Sequence, residues 1–126
     1  MDPATDCHHR LLVESLTEMP DFAELKRRID ALCARAASEH PSARLLVEIE
    51  DLLAEGYMSA LHGDHRIRRL QLRFDALLAS DDGGDQLPVI AREQRRVADA
   101  TRDLRSHLAV MREHWVALGS DRLGLA

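Results

Sequence analysis

Two long apolar patterns on either side of one short loop constrain the fold of this chain most strongly. The loop, from Ser80 to Gln86, reads SDDGGDQ, and two glycines among three aspartates are typical of a turn. On each side of it, apolar residues recur at intervals of three and four, which predicts an α-helix with one apolar stripe. We therefore expect two long helices, over about residues 42–79 and 86–118.

The two stripes match each other in a single antiparallel register. If the chain folds back at the loop, facing positions have residue numbers that add up to 164, as in an antiparallel coiled coil. The predicted layers pair Leu46 with Leu118, Ile49 with Trp115, Leu53 with Met111, Gly56 with Leu108, Ala60 with Leu104, Gly63 with Thr101, Ile67 with Val97, Leu70 with Gln94, Phe74 with Ile90 and Leu77 with Leu87. The register also predicts ion pairs of Glu50 with Arg112 and of Arg73 with Glu93.

Two shorter helices are predicted before this hairpin. One covers about residues 7–19, because Pro20 disfavours helical geometry in the residue before it. The next covers about residues 21–39 and should fold back onto the third helix at Pro41, covering the base of the hairpin. Further apolar residues of the third helix lie in that half: Leu45, Val47, Leu52, Met58 and Leu61. The sequence thus predicts one all-α domain over residues 1–126, a three- or four-helix bundle dominated by a long antiparallel hairpin.

Composition and charge exclude several classes of function. Only four residues are aromatic, and the net charge of −5 leaves neither half of the chain basic enough to bind nucleic acid. No stretch approaches the roughly 20 apolar residues of a membrane span, so we expect no membrane partner. The first residues lack the pattern of a signal peptide, and two cysteines, Cys7 and Cys33, are too few for a disulfide framework. These features favour a cytoplasmic protein.

The distal end of the hairpin is predicted to be an interface. The second helix reaches only to about Ala60, so a two-helix tip would expose apolar side chains, which usually marks a binding surface. The predicted interface residues are Ile67, Phe74, Leu78, Val89 and Ile90. The alternative is that the two stripes bury each other and need no partner.

Small residues in the middle of the third helix suggest a different kind of site. Gly56, Ala60 and Gly63 occupy three successive core positions, and each glycine destabilises a helix by roughly 0.5–1 kcal/mol relative to alanine. Close approach of the two helices is one explanation. A small ligand pocket with Tyr57 and Thr101 as its polar groups is the other. The helix could also break after Gly63.

The histidines offer a metal site as a third possibility. His62 lies opposite Asp103 in the predicted register, and Asp103 and His107 share one helix face. However, the chain contains none of the usual metal-binding motifs, such as His-Glu-x-x-His or Cys-x-x-Cys. We therefore predict neither a metal nor another cofactor. No convergent catalytic set is recognisable either, so no catalytic residues are assigned.

One short segment is similar to a known enzyme family. Residues Leu25 to Leu32, LKRRIDAL, resemble the opening helix of the all-helical chorismate mutases, which carry an arginine followed by Ile-Asp. That family also uses a catalytic lysine further along the chain, whereas this sequence has no lysine after Lys26. The resemblance covers eight of 126 residues, and we do not adopt the activity that it implies.

The function expected from the sequence is therefore a non-enzymatic helical protein–protein interaction module. Such a module could act as a regulator, an adaptor or a chaperone-like subunit, and we expect it to be homodimeric or to bind another protein. The alternative is a bundle that binds a small molecule or a metal near the segment from Gly56 to Gly63.

Overall fold

The computed structural model of the chain describes residues 22–123, and the side chains of residues 22–120. This part contains three helices and no strand: α1 (Phe22–Ser38), α2 (Ala43–Leu78) and α3 (Leu87–Leu123). The helices pack against one another as an all-α bundle, which confirms the predicted fold class. The helix predicted over residues 7–19 lies outside the described residues.

The second helix begins where the sequence supplies a cap. Ser42 has extended backbone geometry, and its side-chain oxygen accepts a hydrogen bond from the backbone N–H of Leu45 at 3.1 Å. This bond satisfies one of the donors that a helix start leaves without a partner. From there α2 continues without a break through Gly63 to Leu78. The possible interruption after Gly63 does not occur.

α2 and α3 form the antiparallel hairpin in the predicted register. A Cβ atom added to Gly56 would overlap the side chain of Leu108, and one added to Gly63 would overlap Thr101. Both contacts join positions that the register pairs. The seam has a large apolar cluster at the base of the hairpin and a smaller one in the distal half, formed by Leu70, Ile90 and Val97 with Ile67, Phe74 and Leu77 packed against them.

α1 packs more extensively on α3 than on α2, which differs from the expected fold-back onto the neighbouring helix. Its apolar side is buried in the base cluster through Phe22, Leu25, Ile29 and Leu32. On the α2 side, Arg28 pairs with Glu55. Leu45 and Leu52 of α2 are buried in the same base cluster as the apolar side of α1, whereas the opposite side of α2 is not covered by α1.

α3 is longer than predicted. The sequence suggested a frayed tail from Gly119 onward, but the helix continues to Leu123. A single glycine costs a helix only about 1 kcal/mol relative to alanine, so Gly119 alone does not end it. No described helix carries an apolar stretch long enough to cross a membrane.

The two ion pairs predicted across the seam are replaced by other contacts. Glu50 accepts a hydrogen bond from the indole N–H of Trp115 at 3.1 Å, and Trp115 lies at the rim of the seam rather than inside it. Glu93 binds Arg66 and Arg96 instead of Arg73.

Candidate interaction surface

The outer side of α2 carries a row of exposed apolar side chains. Val47, Met58, Leu61 and Leu72 are each between 49% and 64% exposed. At 3.6 residues per turn, their spacing places all four within a strip roughly 60° wide. This strip, called the outer stripe below, lies on the side of α2 that points away from the seam with α3. Large apolar side chains aligned in this way are typical of an interaction surface.

Charged residues flank the outer stripe in an ordered way. Glu50 and Asp51 lie beside its N-terminal part, whereas Arg68 and Arg69 lie beside its C-terminal part, and all four are exposed. The stripe is therefore acidic at one end and basic at the other. Charges of this kind contribute little to folding but influence which surfaces associate and in which orientation.

A shallow groove runs along the hairpin on the side away from α1. Tyr57 of α2 lines one wall, and the other wall comes from α3 through Ala109, Arg112, Glu113, Val116 and Ala117. Both Tyr57 and Val116 are exposed. The groove extends the apolar surface of the outer stripe around the hairpin, because Tyr57 and Leu61 are four residues apart and lie next to each other on the surface of α2.

The predicted interface residues at the tip fall into two groups. Ile90 is 5% exposed and belongs to the small distal cluster, and Ile67 and Phe74 are half-buried against that cluster. Leu78 and Val89 are 59% and 55% exposed. The two stripes thus bury each other at most of these positions, and Leu78 and Val89 are the members that offer substantial surface to a partner.

The residues predicted to form a ligand pocket are brought together, but the space between them is filled. Gly56 lies against Leu108, and Ala60 is completely buried. Gly63 lies against Thr101, whose hydroxyl donates a hydrogen bond to the carbonyl of Val97 at 2.7 Å. Tyr57 points to the open groove instead of this layer. The small residues therefore allow close helix packing at these positions.

The predicted metal ligands lie in two places. His107 bridges two helices: its Nδ1 is 2.7 Å from a carboxylate oxygen of Asp30 in α1, and its Nε2 is 3.7 Å from Asp103 in α3. Asp103 also accepts a hydrogen bond from Lys26, which lowers the pKa of its carboxyl group. His62 is exposed on α2. Among the described residues, no three His, Cys, Asp or Glu side chains converge as a metal site would require.

One of the described ion pairs is much more buried than the rest. Arg66 is 4% exposed, and its guanidinium donates to Glu93 at 3.1 Å. Hydrogen bonds, above all from Arg96 and also from Arg66, lower the pKa of Glu93 despite its partial burial. By contrast, Asp64 and Arg105 pair on the surface, and that hydrogen bond lowers the pKa of Asp64. The ion pairs of Arg66 and of Asp64 join α2 to α3, and neither involves a residue of the outer stripe.

Sequence reasoning assigned Val47, Met58 and Leu61 to the covered base of the hairpin and did not connect them with Leu72. The signal was present, because these residues recur at intervals of eleven and three, which keeps them on one helix face. The sequence did not indicate that α1 would pack on the other side of α2.

No protein-family model, no curated protein and no solved structure matches the chain significantly.

Proposed function

We propose that this chain is a non-enzymatic protein–protein interaction module that self-associates through the outer stripe of α2. The observation that carries the proposal is the alignment of Val47, Met58, Leu61 and Leu72, each about half exposed, on the side of α2 opposite the seam. Isolated exposed apolar residues are common on folded proteins, whereas several large ones aligned on one helix face are typical of a binding surface. A regulator, an adaptor or a chaperone-like subunit would use such a surface.

The shape of the molecule supports the same function. The long hairpin presents α2 as a helix of 36 residues with one side buried and another exposed along its length. Helices of this kind associate by packing an apolar strip against another helix, which gives extended contact without a deep pocket. The open groove beside Tyr57 adds area next to the stripe.

The test compares two substitutions that place the same charge at similarly exposed positions, which are 56% exposed for Met58 and 49% for Val110. Met58→Asp changes the centre of the outer stripe, while Val110→Asp changes an exposed valine of α3 outside it. We expect Met58→Asp to weaken self-association, read by sedimentation velocity over a range of concentrations, and Val110→Asp to leave it unchanged. Circular dichroism should show both variants folded. Equal association of both variants and the wild type would contradict the proposal.

A further inference from the structure

We propose that two copies of this chain pair through α2 in antiparallel orientation, with Met58 of one copy against Leu61 of the other beside a two-fold axis. This inference rests on the proposed function and adds the partner, the orientation and the register. A two-fold dimer buries the same patch on both subunits, so that patch must be complementary to itself. The outer stripe meets this condition in its apolar residues and in its charges.

The apolar residues are spaced symmetrically about one point. In an antiparallel pair of helices, facing residues have numbers with a constant sum, and Val47 with Leu72 has the same sum as Met58 with Leu61. Each contact occurs twice in the dimer, once on either side of the axis. The row of contacts is then ~38 Å long, since α-helical residues rise 1.5 Å each. All four exposed apolar residues of the stripe find an apolar counterpart in this register.

The charges select the antiparallel orientation. With Met58 against Leu61, Asp51 of one copy lies beside Arg69 of the other, and Glu50 lies beside Arg68. A parallel pair would instead place the acidic ends together and the basic ends together, which is unfavourable. The four side chains are exposed and flank the stripe, the position at which charges determine the pairing of helices.

The remaining sides of α2 are already occupied over the base of the hairpin. The seam side contacts α3 through Ile49 and Gly56, and the side of Leu45 and Leu52 is buried where α1 packs. Within residues 22–123, the outer side is therefore the one that remains for a partner. A second copy fits it because one helix supplies both the acidic half and the basic half of the interface.

A charge-exchange experiment tests the register. Asp51→Lys would place a lysine against Arg69 of the other copy, and Arg69→Glu would place a glutamate against Asp51. Each variant alone should dimerise on the order of tenfold more weakly than the wild type, because two repulsive contacts replace two attractive ones. A 1:1 mixture should recover wild-type affinity as a heterodimer, which native mass spectrometry identifies by mass. Arg95→Glu makes the same charge change on the exposed face of α3 and should have no effect.

The outcomes separate this geometry from the proposed function. Weakening by each variant, with preferential heterodimer formation in the mixture, would support the antiparallel pair. If the wild type dimerises but both variants dimerise equally well, the register and orientation are wrong while self-association stands. If the wild type stays monomeric at all concentrations, the proposed function fails and this inference with it.

Discussion

Gly63 and Thr101 lie against each other across the seam so closely that a methyl group on Gly63 would overlap the hydroxyl oxygen of Thr101. That hydroxyl cannot move away cheaply, because it donates a hydrogen bond to the carbonyl of Val97 at 2.7 Å in a fully buried layer. The glycine is therefore required by the packing of α3 and not by backbone geometry. Its cost to the helix is offset by the close contact that it permits.

Replacing this glycine should destabilise the fold. Gly63→Ala gains helix propensity but overpacks the seam, and we expect a net loss of about 1–2 kcal/mol in the free energy of unfolding. Gly119→Ala is the matched control, since a methyl group there meets open space within the same kind of helix. It should stabilise the chain by at most about 0.5–1 kcal/mol, because Gly119 lies close to the end of α3. Urea denaturation of both variants measures the difference.

Removing the opposing side chain should make room for the methyl group. In a Thr101→Ala background, Gly63→Ala should cost less than it does in the wild type, and a double-mutant cycle isolates this coupling. Strictly additive effects would show that the two residues do not compete for the same space.

Introducing a carboxylate at the hairpin tip should strongly lower the free energy of unfolding at one residue and hardly change it at the next. Ile90→Asp places a carboxylate in the distal cluster and should cost about 3 kcal/mol or more, because Ile90 is 5% exposed. Val89→Asp should change stability by less than about 0.5 kcal/mol, because Val89 is mostly exposed. The melting temperatures of the two variants, compared with that of the wild type, measure the difference. A destabilising Val89→Asp would mean that the tip is more tightly covered than its exposure indicates.

The ion pair of Arg66 should contribute more to the free energy of unfolding than an ion pair on the surface does. Glu93→Gln removes the negative charge beside a nearly buried guanidinium, and we expect a loss of about 1–2 kcal/mol. Asp64→Asn breaks the exposed pair with Arg105 and should cost about 0–1 kcal/mol. Chemical denaturation at neutral pH measures the free energy of unfolding of both variants. A larger effect at Asp64 would reverse the ranking that burial predicts.

Acidification should weaken the fold. Hydrogen bonds from Arg105 and Arg96 lower the pKa values of Asp64 and Glu93 in the folded chain. Unfolded carboxyl groups bind protons near pH 4, at about 3.9 for Asp and about 4.3 for Glu. Their contribution to stability is therefore complete above about pH 5 and is lost as pH falls towards the lower pKa values of the folded state. Melting temperatures from pH 7 to 3 should decline, and no decline would contradict these contacts.

The hairpin could be predicted because its signals are local and repeat many times. Two periodic stripes and one glycine-rich loop determine which residues face each other, and the contacts of Gly56 with Leu108 and of Gly63 with Thr101 confirm that register. The same register predicted the distal pairs of Ile67 with Val97 and of Phe74 with Ile90, and all four residues belong to the small distal cluster or pack against it. It did not predict that Ile90 would be only 5% exposed, which leaves little of its surface for an interface.

The position of α1 could not be predicted in the same way. The corner at Pro41 brings α1 next to the hairpin, but it does not determine which side α1 covers. The choice depends on contacts between distant parts of the chain, such as those of Lys26 with Asp103 and of Asp30 with His107. Because α1 covers the other side of α2, Met58 and Leu61 remain exposed. The candidate surface could therefore be identified only from the structure.

Self-association is tested most directly by the molar mass of the wild-type chain, measured by sedimentation equilibrium over a wide concentration range. The chain has a mass of 14.2 kDa, and we predict that the apparent mass rises with concentration to twice that value and no further. A mass that remains at 14.2 kDa throughout would contradict self-association through α2.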